Sequence, residues 1–367
     1  MKATQQLHNL GQSLWLDNIT RALLNDGTLA RYIAEYSVTG LTSNPSIFDA
    51  AMGDGDAYDA GIQEKTQQGM TGEKLFIELA LEDLRRAADL FRPTFDATHH
   101  VDGWVSMEVS PLLAADTAGS IAAAKQIHQQ AQRDNLFVKI PGTPEGVPAI
   151  EEAIFSGVPI NVTLLFSSAQ YQAVADAYIR GLERRQAAGL DVKVASVASL
   201  FVSRWDVASN PQLPVELHNK LGIAVAQQTY RAYRAMLASP RWKKLADAGA
   251  APQRLLWAST GTKDKTASDT LYVTTLAAPD TIDTIPEKTL HAMADHGELH
   301  GVMATDGAAG DAMCEKISKA GVDIDALANK LQKDGASAFV KSWAQLLQRI
   351  ADKAAALKQS SHGAPAP

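Results

Sequence analysis

Eight short runs rich in β-forming residues alternate with helical segments along this chain of 367 residues. This alternation is typical of a parallel α/β architecture rather than of a β-sandwich or a helical bundle. The predicted strands are 14–17, 38–41, 104–109, 136–140, 160–165, 192–198, 255–258 and, with the weakest pattern, 282–285. Eight such strands predict an α/β fold of the (β/α)8 TIM-barrel type. An open doubly wound sheet is the alternative, but no GxGxxG turn follows the first strand.

Apolar residues at helical spacing predict helices that pack on this barrel. The segments with this spacing are 76–91, 171–182 and 325–358. The last segment places Phe339, Trp343 and Ile350 on one side and lysine, arginine and glutamine on the other. We therefore expect one or two C-terminal helices packed on the barrel. Residues 1–358 are predicted to form a single domain, and residues 359–367, rich in Pro, Ala, Gly and Ser, a disordered tail.

Charge and cysteine content exclude several classes of protein. The formal net charge is −7 and the basic residues are scattered, which argues against a nucleic-acid partner. No run approaches the ~18 apolar residues of a membrane-spanning helix, and no leader pattern opens the chain. The one cysteine, Cys314, excludes an intramolecular disulfide and fits a reducing compartment. We expect a cytoplasmic protein, monomer or homodimer, without a membrane partner, in which this thiol is inert.

Lys139 interrupts the apolar run LFVKIP of the fourth predicted strand. An ammonium buried in a strand is disfavoured by several kcal/mol unless it is paired or neutralised. Burial favours the neutral, nucleophilic amine that imine formation requires. Two other interpretations remain open: a strand-end lysine that points to solvent, and a structural ion pair with Glu108, which interrupts the third strand in the same way.

Polar residues lie near the carboxyl ends of seven of the eight predicted strands, where the catalytic groups of (β/α)8 barrels gather. They are Asp17, Thr42, Ser43, Asn44, Glu108, Lys139, Asn161, Thr163, Ser196, Ser199 and Ser259. The alternation of a strand puts Asn161 and Thr163 on the same side. Taken singly, a strand-end Asp, Asn or Ser is more often a helix cap or a turn residue.

Two basic residues follow late strands and predict a phosphate site. Arg204 follows the sixth strand, and Lys263 follows the seventh within the segment STGTKDK. A guanidinium and an ammonium near a loop of Gly, Ser and Thr suit a phosphate monoester, which late βα loops of such barrels often bind. Lys265 is the rival of Lys263, and a solvated loop charge is the alternative for both.

Motifs for metals and cofactors are missing from the sequence. The nine histidines are accompanied by no HExxH or paired CxxC motif. A P-loop, a GxSxG elbow and a dinucleotide fingerprint are also lacking. The sequence therefore predicts chemistry without a metal or another cofactor.

Four segments together resemble the transaldolase family: TGLTSNPSIF (39–48), VSMEV (105–109), VKIPGT (138–143) and INVTLLF (160–166). The lysine segment and the TSNP segment make the resemblance specific. The similarity runs from about residue 14 to about residue 263 and, in weaker form, through the C-terminal helix. The length and the segment WASTGTK (257–263) are similar to the longer bacterial subtype.

The resemblance implies an enzyme of the pentose phosphate pathway that works by a class I Schiff-base mechanism. Lys139 would attack the C2 carbonyl of fructose 6-phosphate or sedoheptulose 7-phosphate. Asp17 would take and return the proton of the C4 hydroxyl, and Glu108 with Thr163 would position water for imine formation and hydrolysis. The retained dihydroxyacetone unit would pass to glyceraldehyde 3-phosphate or erythrose 4-phosphate.

The resemblance also implies which residues bind the sugar phosphate. The dihydroxyacetone unit would contact Asn44, Asn161, Ser199, Thr42 and Ser43. Ser196 competes with Ser199, although the spacing to Arg204 favours Ser199. Arg204 and Lys263 would bind the phosphate, with Lys263 in a loop where shorter family members carry an arginine.

Two other functions are compatible with these residues. A fructose 6-phosphate aldolase of the same superfamily would release free dihydroxyacetone, although its known members are much shorter. A non-catalytic barrel that binds sugar phosphates would use Glu108 and Lys139 only as a structural ion pair.

Overall fold

The computed structural model describes residues 1–362 of the chain, in which eight strands alternate with helices. The strands are β1 (Ser13–Asp17), β2 (Val38–Thr42), β3 (Val105–Glu108), β4 (Leu136–Pro141), β5 (Ile160–Leu165), β6 (Ser196–Phe201), β7 (Arg254–Ala258) and β8 (Thr281–Ile285). The first helices are α1 (Ala3–Asn9), α2 (Arg21–Asn25), α3 (Thr28–Tyr36), α4 (Pro45–Gly53), α5 (Asp59–Gln67), α6 (Gly72–Ala97), α7 (Thr117–Ala131) and α8 (Gly146–Phe155).

Between residues 168 and 362, the described part of the chain forms eight further helices. They are α9 (Ser168–Ala187), α10 (Ser203–Ser209), α11 (Leu221–Ala238), α12 (Pro240–Asp247), α13 (Leu271–Thr275), α14 (Glu287–His296), α15 (Ala308–Lys319) and α16 (Ile324–His362). Short 3-10 helices span Pro111–Leu113, Asn210–Gln212 and Val215–Leu217. The predicted tail 359–367 begins within α16, and its residues 363–367 lie outside the described part of the chain.

The eight strands form one parallel sheet in the order β2-β1-β8-β7-β6-β5-β4-β3. Backbone hydrogen bonds beside its two outer strands close it into a barrel. Leu41 N donates to Trp104 O at 2.9 Å, and Gly103 N donates to Thr39 O at 2.8 Å. The predicted (β/α)8 barrel is therefore confirmed.

The prediction for the sixth strand was wrong in its bounds, because β6 spans Ser196–Phe201 instead of residues 192–198. Val192 and Val194 are buried on either side of the exposed Lys193, which imitates the alternation of a half-buried strand. The pairing with β5 starts only at Ser196. Ser199 consequently lies inside the strand instead of just after it.

Alternation along the strands places polar side chains above an apolar layer inside the barrel. In β1, Leu16 packs in the core between barrel and helices, whereas Trp15 belongs to a second core together with Phe137 of β4. Their rings lie 6.1 Å apart, centroid to centroid. Two residues further along the same strands come Asp17 and Lys139, which therefore face inward near the carboxyl ends.

The predicted C-terminal packing is a single helix, α16, which contacts β5 as well as α4, α5 and α6. Trp343 on its apolar face packs edge-to-face on Phe76 of α6, with ring centroids 5.0 Å apart. Polar pairs that join α16 to α4 and α5 are Ser46–Ser342, Asp49–Arg349 and Asp59–Lys353. Within residues 1–362, neither α16 nor any other helix is long and apolar enough to cross a membrane.

Two buried titratable groups lie away from the barrel mouth. Burial raises the pKa of the Cys314 thiol to about 11, so this group stays protonated at neutral pH. Asp283 of β8 is fully buried; its Oδ1 accepts a hydrogen bond from Thr260 Oγ1 at 2.7 Å, and its Oδ2 has no partner within residues 1–362. Burial raises the pKa of Asp283 to about 7 against the opposing effect of the Thr260 hydrogen bond.

We expect Asp283 to make the protein less stable as the pH rises. The folded state holds this proton more tightly than the unfolded chain, whose carboxyl has a pKa of 3.8, so stability is lost between about pH 4 and pH 7. At about 1.4 kcal/mol per pKa unit, the loss is on the order of 4 kcal/mol. Urea unfolding at pH 5 and pH 8 should show a smaller decrease for Asp283→Asn than for the wild type.

The exposed Asp134→Asn provides the matched control, because its side chain is 84% accessible. Its free energy of unfolding should follow the wild-type pH profile. Equal pH dependence of Asp283→Asn and the wild type would refute the raised pKa of Asp283.

Candidate active site

A cavity of about 120 Å³ lies at the carboxyl end of the barrel and collects most of the predicted site residues. Its lining comprises Asp17, Thr42, Asn44, Lys139, Thr163, Ser199, Phe201, Arg204, Ala258, Ser259, Gly261, Lys263, Thr284, Pro286 and Phe339. Larger cavities, of about 460 and 510 Å³, lie at the amino-terminal end, and one of about 440 Å³ lies between α2 and α4. Active sites of such barrels form at the carboxyl end, and the 120 Å³ cavity is the one there that contains Lys139 and Asp17, which makes it the candidate.

Lys139 is buried at the base of this cavity, with 6% of its surface accessible. The interpretation of this lysine as a solvent-facing residue was therefore wrong. Its Nζ lies 3.1 Å from Glu108 Oε1 and donates to Ser43 O at 2.9 Å. The pair forms because β3 and β4 place Glu108 beside Lys139 in register. An ion pair therefore exists, and the lysine also reaches the cavity.

Glu108 and Thr163 carry buried oxygen atoms with unused hydrogen-bonding capacity. Apart from the Lys139 pair, both Glu108 carboxylate oxygens lack a partner within residues 1–362, and so does Thr163 Oγ1. Burial raises the pKa of Glu108, while the Lys139 ammonium opposes this shift. Unpaired buried oxygens are costly in a folded protein, so these groups are suited to hold a small polar molecule.

Asp17 ends β1 and lines the same cavity as Lys139. Burial raises the pKa of Asp17, and the Lys139 ammonium is the largest opposing influence. Thr42 Oγ1 donates to Asp17 Oδ1 at 2.9 Å, and the hydroxyl of Thr284 contacts that of Thr42. These contacts orient the carboxylate, and the raised pKa suits a group that takes up and returns a proton.

A hydrogen-bonded chain across β3, β5 and β6 fixes Asn161 and Ser199. Ser199 Oγ donates to Asn161 Oδ1 at 2.7 Å, and Asn161 Nδ2 donates to Ser106 Oγ at 3.1 Å. Ser43 Oγ donates to Ser106 O at 2.7 Å, so this hydroxyl is directed to the backbone. These hydrogen bonds orient the Asn161 amide, with its oxygen toward Ser199 and its nitrogen toward Ser106.

Ser196 lies away from the cavity, at the start of β6. Its hydroxyl donates to Ile160 O at 2.7 Å and accepts from Gln253 Nε2 at 2.9 Å. Of the two serines, Ser199, which the spacing to Arg204 favoured, is the one that lines the cavity.

Asn44 combines a structural contact with a place in the cavity wall. Its Oδ1 accepts from Ile47 N at 3.1 Å, so Asn44 is the N-cap of α4, with Pro45 in the first turn. It also lines the cavity. The helix-cap interpretation of this residue and its predicted place in the site therefore both fit the geometry.

The two predicted basic residues, Arg204 and Lys263, also line the cavity. Arg204 of α10 forms no salt bridge within residues 1–362, and its Cζ lies 4.9 Å from the ring centroid of Phe201. Burial lowers the pKa of Arg204, and the charges of Glu108 and Asp17 oppose the shift. Lys263 lines the cavity, whereas Lys265 does not. The two cations therefore face a volume that also contains Asp17 and Lys139.

Several residues of the cavity wall were not predicted from the sequence. Phe201 and Thr284 follow from the two-residue period once the strand register is known. Ser259, noted only as a strand-end residue, has a left-handed backbone (φ 58°) and pairs its hydroxyl with that of Ser203 at 2.8 Å. Phe339 comes from α16, more than a hundred residues from the catalytic strands. Its apolar stripe indicated packing but not the surface against which it packs.

Comparison with known proteins decides the family. The model described as Transaldolase/Fructose-6-phosphate aldolase matches residues 14–350. The chain belongs to this family. The match extends well beyond residue 263 and takes in most of α16. The resemblance to transaldolases stated from the sequence is confirmed, and with it the assignment to a family of enzymes.

Curated relatives match the chain over nearly its whole length. A transaldolase of Thermobifida fusca is 44% identical over 96% of this chain and 98% of the relative. One from an Arthrobacter species is 43% identical over 98% and 99%. One from Saccharopolyspora erythraea is 44% identical over 95% and 97%.

Proposed function

We propose that this protein is a transaldolase that transfers a dihydroxyacetone unit from sedoheptulose 7-phosphate or fructose 6-phosphate to glyceraldehyde 3-phosphate or erythrose 4-phosphate. The observation that carries the proposal is the buried Lys139, which is paired with Glu108 at 3.1 Å and shares one cavity with Asp17. The names of the curated relatives support it. The single cysteine and the phosphorylated substrates fit a cytoplasmic location.

Imine formation is the first step of the proposed reaction. Glu108 accepts a proton from the Lys139 ammonium, and the neutral amine attacks C2 of the ketose. The C2 oxygen leaves as water after protonation, which gives an iminium. Glu108 Oε2 and Thr163 Oγ1 have no partner within residues 1–362, which supports a role in holding this water, both when it forms and when it later hydrolyses the imine.

Cleavage of the C3–C4 bond is the second step. Asp17 removes the proton of the C4 hydroxyl, the C3–C4 bond breaks, and its electron pair moves into the iminium to give an enamine. The aldose phosphate leaves. The enamine then attacks the acceptor aldehyde through C3, and Asp17 returns the proton to the new hydroxyl. Thr42 holds the carboxylate for both proton transfers.

Asn44, Asn161 and Ser199 bind the hydroxyls of the dihydroxyacetone unit in this proposal. Asn161 and Ser199 are joined by a 2.7 Å hydrogen bond, which supports their action as one unit. Thr42 and Ser43, which the sequence also suggested as substrate ligands, contact catalytic groups: Thr42 bonds to Asp17, and the Ser43 carbonyl accepts from Lys139. We therefore assign both residues a positioning role.

Arg204 and Lys263 bind the phosphate of donor and acceptor in this proposal. A guanidinium without a carboxylate partner is available to an anion, and it matches the geometry of a phosphate. The place of Lys263 in the cavity wall favours it over Lys265 as the second cation. The phosphate then lies beyond the carbonyl chemistry at Lys139, toward α10 and the loop after β7.

A product assay separates this function from its two alternatives. The protein is incubated with fructose 6-phosphate, with and without erythrose 4-phosphate, and sedoheptulose 7-phosphate and dihydroxyacetone are quantified by mass spectrometry. We expect sedoheptulose 7-phosphate only with the acceptor and little dihydroxyacetone without it. Release of dihydroxyacetone at the same rate without the acceptor would indicate an aldolase, and no product of either kind would indicate a binding protein.

A further inference from the structure

One face of α16 lies against the residues that form the cavity. Gln332, Gly335 and Phe339 are spaced i, i+3 and i+7, so they share one side of the helix. All three contact residues of β5, α10 or the segment after β4. No step of the proposed reaction uses these three residues.

Gln332 fixes the position of this helix relative to the catalytic strands. Its buried Nε2 donates to Gly142 O at 2.9 Å and to Leu164 O at 3.0 Å. These carbonyls follow Lys139 by three residues and Thr163 by one. Leu164 has a left-handed backbone (φ 59°) and marks the irregularity in the β5–β6 pairing. The two hydrogen bonds therefore hold α16 at a defined height above the cavity.

Gly335 allows the helix to approach Arg204. A Cβ atom at this position would lie 2.9 Å from Leu164 Cδ2 and 3.1 Å from Arg204 Nη1. Both distances are shorter than ordinary van der Waals contact, so any other residue would displace one of these two side chains. Because Gly335 has no side chain, it leaves room for the Arg204 guanidinium.

Phe339 covers the guanidinium from the helix side. Its ring centroid lies 5.7 Å from Arg204 Cζ, while the ring of Phe201 lies 4.9 Å from the same atom. Only 7% of Phe339 is accessible, and its side chain lines the cavity. Arg204 has no salt bridge within residues 1–362. Buried arginines are usually paired with a carboxylate, whereas Arg204 contacts two aromatic rings instead.

We propose that Phe339 and Gly335 are positioning residues that determine the preference for phosphorylated sugars by holding Arg204 ready for the phosphate. A free arginine side chain has many rotamers and loses entropy when it binds an anion. Contact with two rings and the helix backbone restricts it beforehand while leaving its charge uncompensated. This inference rests on the proposed function, because it takes Arg204 as the phosphate ligand.

The test compares phosphorylated and unphosphorylated acceptors in variants of the full chain. With sedoheptulose 7-phosphate as donor, kcat and KM are measured for glyceraldehyde 3-phosphate, which yields fructose 6-phosphate, and for glyceraldehyde, which yields fructose. For Phe339→Leu we expect KM for glyceraldehyde 3-phosphate to rise roughly 5- to 30-fold, the range of one cation–π contact, with kcat changed less than about twofold. KM for glyceraldehyde should stay within about twofold. Gly335→Ala should act in the same direction, and Phe339→Tyr, which keeps a ring face, should retain the preference.

Two further variants separate this role from general support of the helix. Leu346→Ala removes a buried side chain from the same helix away from Arg204, so it should lower stability without changing the preference between acceptors. In the Arg204→Leu background, Phe339→Leu should cause no additional loss, because the ring acts through the guanidinium.

Each outcome has a distinct meaning for the two proposals. An unchanged preference in Arg204→Leu would remove Arg204 from the phosphate site and so contradict that part of the proposed function. A loss of preference in Arg204→Leu but not in Phe339→Leu would overturn the role of α16 alone. An equal loss in Leu346→Ala and Phe339→Leu would also overturn it, because general helix docking would then account for the effect.

Discussion

Lys139→Met will lower kcat by on the order of 10⁴-fold or more, because the side chain that forms the imine is lost and no other residue in the cavity can replace it. Among the described residues, the only other lysine in the cavity wall is Lys263, which follows β7. Methionine has a similar length and fills the space of the lysine stem. The measurement is kcat for transfer from fructose 6-phosphate to erythrose 4-phosphate.

Folding must be measured beside activity, because removal of one partner from a buried ion pair destabilises a protein by about 3 to 5 kcal/mol. The raised pKa of Glu108 reduces this cost, since a carboxyl that loses its lysine partner can take up a proton. A double variant, Lys139→Met with Glu108→Gln, removes both charges of the ion pair and should recover stability without recovering activity. Turnover within tenfold of the wild type in folded Lys139→Met would contradict the imine mechanism.

Asp17→Asn will lower kcat by on the order of 10³-fold while leaving imine formation intact, because an amide cannot take the proton from the C4 hydroxyl. The amide can still accept the hydrogen bond from Thr42, so the local structure should persist. Reduction with borohydride in the presence of fructose 6-phosphate should still label Lys139 in this variant. This combination separates carbon–carbon cleavage from imine formation.

The pH profile gives a second readout for Asp17. Burial raises the pKa of this carboxyl, so the basic form is lost as the pH falls through a value above the usual range of aspartate. The wild-type kcat/KM should therefore decline on the acid side, and this decline should be missing from the residual activity of Asp17→Asn. Asp283→Asn is the control, since Asp283 is a fully buried carboxyl outside the cavity and its removal should preserve turnover. Near-normal kcat in Asp17→Asn would exclude Asp17 as the acid and base.

The period of two along the strands explains how much of the site the sequence could predict. It places Asp17, Lys139 and Thr163 inside the barrel as soon as the strands are recognised, because inward residues recur at every second position. It could not decide between Ser196 and Ser199, since the alternation of Val192 and Val194 imitated a strand that the backbone does not form there. The structure decides that question, because Ser199 lines the cavity and Ser196 does not.

Contacts between distant segments account for what the sequence could not predict. The anomaly of a lysine in an apolar strand was visible, but whether Lys139 pairs with Glu108 depends on the alignment of β3 and β4. The apolar stripe of α16 predicts that Phe339 packs against another element, but it does not specify which one. Only the docking of α16 brings this ring to Arg204.

The central claim is that Lys139 forms an imine with a ketose phosphate, and reductive trapping tests it most directly. The protein is treated with fructose 6-phosphate and borohydride, digested, and examined by peptide mass spectrometry. The mechanism predicts one stable adduct, on the peptide that contains Lys139, and none when the sugar is left out. A protein that turns over fructose 6-phosphate fully and yet carries no adduct on Lys139, or carries it on Lys263 instead, would contradict the claim.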